Sequence, residues 1–263
     1  MQKSEMDSRL PGFVSDRARR QVDPSAVEAR FITAAGRTVR MPWLQAAGEE
    51  RLEECGPVVS FPARKGRRTA PGWLWMATGG RMVHYGFGAM RVQAMMLDFD
   101  PRVVAVACSP VELLWRGRGG NVVSHAPHLM ARLADDSGLL VDCAGRRGAG
   151  LRLVRRALHV EAAAVAAGWH YRLSGPPPPV VEANVRWLSG YRHPRFAGGL
   201  LGMVAECFQA PTALIDGVRA LGEPLVVWPA VFHALWRRVL HVPLESALHE
   251  RTVAVATEKA AGR

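Results

Sequence analysis

Residues 84–143 constrain this chain more than any other stretch. The run 85–97 carries Met90, Ala94 and Leu97 at i, i+4 and i+7, the spacing of one helix face. Asp98-Phe99-Asp100-Pro101 ends it, because a proline disfavours helical backbone at the residue before it. Three β-like runs follow, at 103–115, 122–133 and 139–143, with a tight turn at 117–120 between the first two. After Gly150 the period returns to 3.6, predicting a helix over 151–167 that stops at Gly168. Residues 169–174 read as one more strand. The expected fold is therefore α/β: helix, three strands, helix, strand.

Charge narrows the partners. The formal net charge is +11, from 34 Lys and Arg against 23 Asp and Glu, and most of the cations are arginine. Such a surface suits a polyanion, and the guanidinium forks onto phosphate oxygens. Arginine-rich codon usage produces the same composition. One cluster is Arg64, Lys65, Arg67 and Arg68 around Gly66, followed by Pro71-Gly72, Trp73 and Trp75. A basic loop broken by glycine can approach a phosphate backbone closely. A second cluster lies on the helix 151–167. Leu151, Val154, Leu158, Ala162 and Val165 form the expected apolar stripe, and Arg152, Arg155, Arg156 and His159 occupy another face. Arg146 and Arg147 precede it. A merely solvated basic face fits this pattern as well as a nucleic-acid interface does.

Four cysteines, at 55, 108, 143 and 207, form no CxxC pair, which points to a reducing compartment and no zinc knuckle. The N-terminus lacks an apolar signal core. The apolar stretch 225–242 is interrupted by Pro229, Arg237 and Arg238, and is too short and too charged to span a bilayer. A cytoplasmic protein without a membrane partner is expected.

Composition divides the chain into an N-terminal arm with short strands over 1–57, an α/β domain over 58–175, and a helical module over 180–256. The prolines at 176–179 are the expected stiff linker. Beyond them, Trp187 and Tyr191 interleave with Arg186, Arg192, His193 and Arg195. That pattern serves helix packing or nucleic-acid stacking. In the module, Pro211 and Pro229 suit first turns of helices, and 252–256 suits a closing strand. The order is winged-helix-like.

Several strings then occur in a fixed order: KGRRTAPGWLW, the HYG…LDFDP segment, SHAP with its following strand, LLVDC, the Gly168-Trp169 corner and NVRWLSGYRHPRF. Together they resemble the TnsA-like subunit of heteromeric transposase endonucleases, over residues 58–196 and more loosely to 253. The resemblance implies a restriction-endonuclease-like core. It also implies Mg²⁺ held by acidic side chains, and nicking at transposon 5′ ends beside a partner transposase subunit. The family carries glutamates where this chain has Gly86 and Met90, an aspartate where it has His128, and a basic residue where it has Ala144. Asp142 keeps its acidic place and is the candidate metal ligand. Asp142 and His128 are the candidate catalytic residues, and Mg²⁺ is the cofactor if the protein is active. Arg64, Lys65, Arg67, Arg68, Arg152, Arg155 and Arg156 are the candidate DNA contacts. The expected function is a subunit that binds DNA ends, a partner transposase, or both, without cutting. The alternatives are an active metal-dependent endonuclease and a purely protein-binding adaptor.

Overall fold

The computed structural model describes residues 23–62, 70–117 and 119–257. In chain order the elements begin with β1 (Glu28–Ile32), β2 (Thr38–Pro42) and α1 (Trp43–Glu49). The ribbon β3 (Gly72–Met76) and β4 (Arg81–Tyr85) leads into α2 (Gly88–Phe99). Next come β5 (Val103–Cys108), β6 (Val111–Arg116), β7 (Val122–His125), β8 (Leu129–Leu133) and β9 (Gly138–Cys143). α3 (Leu151–Ala166), β10 (His170–Ser174) and α4 (Pro179–Leu188) follow. The chain continues through α5 (Leu201–Cys207), β11 (Thr212–Ala213), α6 (Leu214–Leu221), α7 (Pro224–Trp236), β12 (Leu240–His241) and β13 (Val253–Ala256). The protein is thus mixed α/β, in the expected sequence of helix, strands, helix and strand.

Two of the expected runs, 103–115 and 122–133, are each split, and the two halves join different sheets. One sheet runs β2-β1-β6-β7 and the other β10-β9-β8-β5. β5 and β6 are separated by Ser109, at φ 39°, and Pro110. β7 and β8 are separated by Ala126, Pro127 and His128. A proline cannot donate to a ladder, so both strands of the hairpin bend at the same level. Ser109 ties the two breaks together, its backbone N–H and its hydroxyl donating to the His128 carbonyl at 3.1 and 3.2 Å. β9 pairs antiparallel with β8 and parallel with β10, so α3 is the crossover that a parallel pair requires.

α3 does not bury the expected stripe. Its inner face is Ala157, Val160, Ala163 and Ala164, while Leu151 and Val165 are 77% and 67% exposed. The reason is the partner surface. Two indoles, Trp43 and Trp169, meet edge-to-face at 5.2 Å beneath the helix. The Trp43 Nε1–H donates to the Ala163 carbonyl at 2.7 Å. Small side chains allow that approach; a leucine face would not. A buried ion pair joins the same region: Arg132 of β8 reaches Glu53 at 2.8 Å and stacks over Trp169 at 5.0 Å.

The prolines at 176–179 run directly into α4, with Pro179 in its first turn. One apolar core continues across them, from Met90, Leu97, Val106 and Leu129 to Val185, Phe208, Val218 and Val231. Pro229 lies inside α7 rather than in its first turn, where Pro224 stands instead, and Pro211 precedes β11. β11, β13 and β12 form a small sheet in that order beside α5, α6 and α7. Among the described residues no helix is long and apolar enough to cross a membrane.

Candidate functional site

Asp142 sits on β9, whose six residues are all buried, and is itself wholly enclosed. Three donors converge on its carboxylate. His125, at the end of β7, reaches its two oxygens from Nε2 at 2.8 and 3.0 Å. The Tyr171 hydroxyl on β10 donates at 2.9 Å, and the His128 backbone N–H at 3.3 Å. Burial and the adjacent Asp142 charge hold the Tyr171 phenol firmly protonated.

His128 completes the cluster without binding the carboxylate through its ring. Its Nδ1 accepts the Cys143 N–H at 2.8 Å, so in the neutral ring the proton is on Nε2. Nδ1 also lies 3.2 Å from Asp142, and with no proton there the approach is not a hydrogen bond. The ring meets Phe87 edge-on at 5.1 Å. Burial lowers the imidazole pKa, with His125 acting the same way and Asp142 opposing. A folded pKa below the unfolded value, about 6.5, has a defined sign. The stabilisation is complete above about pH 6.5 and is lost as pH falls towards the folded value. The Tm should therefore drop on acidification from pH 7.5 to 5.5, by about 2–4 °C for each kcal/mol lost. His128→Asn should shallow that pH dependence without abolishing it, because buried His233 is shifted in the same direction. An unchanged slope in the variant would contradict this account.

The surrounding positions supply no oxygen ligands. A Cβ on Gly86 would lie under 3 Å from three ring carbons of Phe61, so the phenyl ring occupies the space an acidic side chain there would need. Met90 is fully buried and its sulfur accepts the Gly86 N–H at 3.4 Å. Ala144 is buried at the end of β9. Magnesium requires near-octahedral oxygen coordination, whereas the one carboxylate here is already committed to three protein donors, from His125, Tyr171 and the His128 backbone. The residues present do not fit Mg²⁺. Among the described residues no group of three or more His, Cys, Asp or Glu side chains is arranged to hold a metal ion.

Asp98, Asp100 and Asp135 have structural partners. Asp98 accepts from the Ala77 and Thr78 backbone N–H groups at 3.0 and 2.8 Å and from the Thr78 hydroxyl at 2.9 Å, pinning α2 to the β3–β4 turn. Asp100 pairs with Arg102 at 2.8 Å. Asp135 accepts from Ser137 in the β8–β9 turn.

Of the expected DNA contacts, Arg64, Lys65, Arg67 and Arg68 lie outside the described residues. Arg152 and Arg155 are exposed one turn apart on α3, and Arg146 and Arg147 are exposed just before it. Arg156 is less exposed; burial and Arg152 lower its pKa, while Glu112 and Asp142 oppose. Beside Ala144 a cleft of about 340 Å³ is bordered by Gly88, Arg91, Met95, Arg146 and Arg186. Sequence reasoning missed Phe61, His125, Tyr171 and Arg91. The His125–Asp142 pair joins strands of two different sheets and had no signal in the sequence; neither had Phe61.

No protein-family model matches the chain, and no curated protein matches it. The reading of function therefore rests on the residues themselves.

Proposed function

We propose that the protein is a TnsA-like, endonuclease-derived subunit that binds DNA ends and does not cut them. The observation that carries this is the state of Asp142. By the resemblance it corresponds to a metal ligand, and in this mixed sheet its oxygens accept from His125, Tyr171 and the His128 N–H. The Phe61 ring lies where a side chain at Gly86 would go, and Met90 is fully buried. The restriction-endonuclease-like reading is supported by the order of α2, β5, β8, β9, α3 and β10 and by the parallel β9–β10 pair. A winged-helix reading of the C-terminal region is supported by the order α5, β11, α6, α7, β12, β13 with β13 central in its sheet.

DNA binding is supported by the net charge of +11 and by the exposed Arg146, Arg147, Arg152 and Arg155 around the start of α3. None of these four has a carboxylate in ion-pair reach among the described residues. Each neutralised phosphate contributes a slope of about −0.9 to log K against log salt. Arg152→Ala with Arg155→Ala should flatten the slope for duplex DNA by about two units. The companion assay is nicking of supercoiled DNA by the isolated protein with Mg²⁺ or Mn²⁺, and no nicked product is expected. Cleavage by the unmodified chain would restore the active-endonuclease reading. Binding that ignores salt would favour the protein-binding adaptor.

A further inference from the structure

We infer that the outer face of α7, walled by α4, is a docking surface for an amphipathic helix of a partner protein that carries carboxylates at one end. This goes beyond the DNA-binding reading and does not rest on it.

A surface helix ordinarily turns polar residues outward. α7, PLVVWPAVFHALW, is apolar on every side. Val227, Ala230, Val231, Ala234 and Leu235 bury inward. Leu225, Trp228, Pro229 and Phe232 recur on the other side at i, i+3, i+4 and i+7 with Val226 beside them; Leu225 and Val226 are exposed, while Trp228, Pro229 and Phe232 are half-buried. Leu225 is 85% exposed and Val226 64%. Trp228 stacks on Phe232 at 5.1 Å, forming a floor. Trp187 of α4, 56% exposed, stands edge-on to Phe232 at 89°, forming a wall. Val180 and Ala183 continue that wall along the same exposed face of α4. A floor and a wall built by two helices match a helical rod, which anchors through the same i, i+3, i+4, i+7 spacing. They match a flat bilayer less well.

Charge selects among the possible rods. The aromatic row continues from Phe232 through Tyr191 to Phe196, and the Arg195 guanidinium lies over that last ring at 4.8 Å. Arg237 is exposed at the C-terminal end of α7. Neither has a carboxylate in ion-pair reach among the described residues. The single nearby acid on the helix, Glu223, is at the opposite end, and Glu182 is engaged by Arg186 at 2.6 Å. A second copy would bring another +11 chain against this one. A helix with acidic residues over the Arg195 end meets the surface with the opposite sign.

The test uses two synthetic helical peptides of about five turns, with Leu and Phe at i, i+3, i+4 and i+7. One has Glu and the other Lys at the remaining positions of one end. Each is titrated by fluorescence anisotropy against the full chain. The Glu peptide should bind at least about tenfold more tightly than the Lys peptide. Leu225→Ser with Val226→Ser should weaken it by about tenfold, and Arg195→Glu should reverse the preference. Both Leu225 and Val226 are exposed, so the far-UV circular dichroism and Tm of that variant should stay unchanged, as should its DNA affinity. Equal affinity for the two peptides, or no binding of either, overturns the proposal. So does a dimer in sedimentation that the Leu225→Ser, Val226→Ser variant abolishes, which would assign the face to a second copy. Cosedimentation with phosphatidylserine vesicles lost in the same variant would assign it to a membrane surface instead.

Discussion

Asp142→Ala should destabilise the fold by about 3–5 kcal/mol, because removing one partner of a buried charged network strands the others. The His125 Nε2–H, the Tyr171 hydroxyl and the His128 N–H would all lose their acceptor inside the sheet. Each stranded buried donor costs about 1–3 kcal/mol. At about 2–4 °C per kcal/mol, the Tm should fall by roughly 6–20 °C. Asp142→Asn keeps one oxygen acceptor and should cost clearly less. Urea denaturation of the three proteins measures this directly. A loss below about 1 kcal/mol for Asp142→Ala would mean that the carboxylate is not the hub described here. The result also bears on any activity assay, since loss of function in this variant would report unfolding before it reported chemistry.

Gly86→Glu is the second large effect. It places a side chain where the Phe61 ring already lies, and overpacking of this kind costs about 1–3 kcal/mol or more. Phe61→Ala alone should also destabilise, since the ring packs against the main core. The two together should cost less than the sum, with a favourable coupling of at least about 1 kcal/mol in a double-mutant cycle. Additive losses would show that the ring swings aside freely and does not close the site. The cycle also shows whether a glutamate at 86 requires Phe61 to be reduced as well.

The helix at 88–99, the strands between 103 and 143, the helix at 151–166 and the strand at 170–174 were legible in the chain because local signals mark their ends. Pro101 stops α2, Gly168 stops α3, and β9 is a bounded apolar run of β-formers. That Gly86, Met90 and His128 carry no carboxylate was also legible, since it is a property of single positions. What the side chains at those positions meet was not. Periodicity counts apolar residues but does not weigh their size, so Leu151 and Val165 looked like a buried stripe, whereas two tryptophans select the alanine face of α3. Two prolines, at 110 and 127, lie inside runs read as β-like, 103–115 and 122–133. Only their opposition across a hairpin makes them the bend that passes it between two sheets. An exposed face of α7 is invisible in a string that is apolar throughout. Phe61 lies twenty-five residues before Gly86, and its ring and that glycine meet only through the fold. By itself, then, the sequence determined the order and ends of the secondary elements and the basic balance. The tertiary structure alone decided which faces are buried, that the Asp142 carboxylate is spent on protein donors, and that the Phe61 ring lies against Gly86. Those depend on contacts between residues far apart in the chain, where shape and hydrogen-bond direction outweigh local propensity.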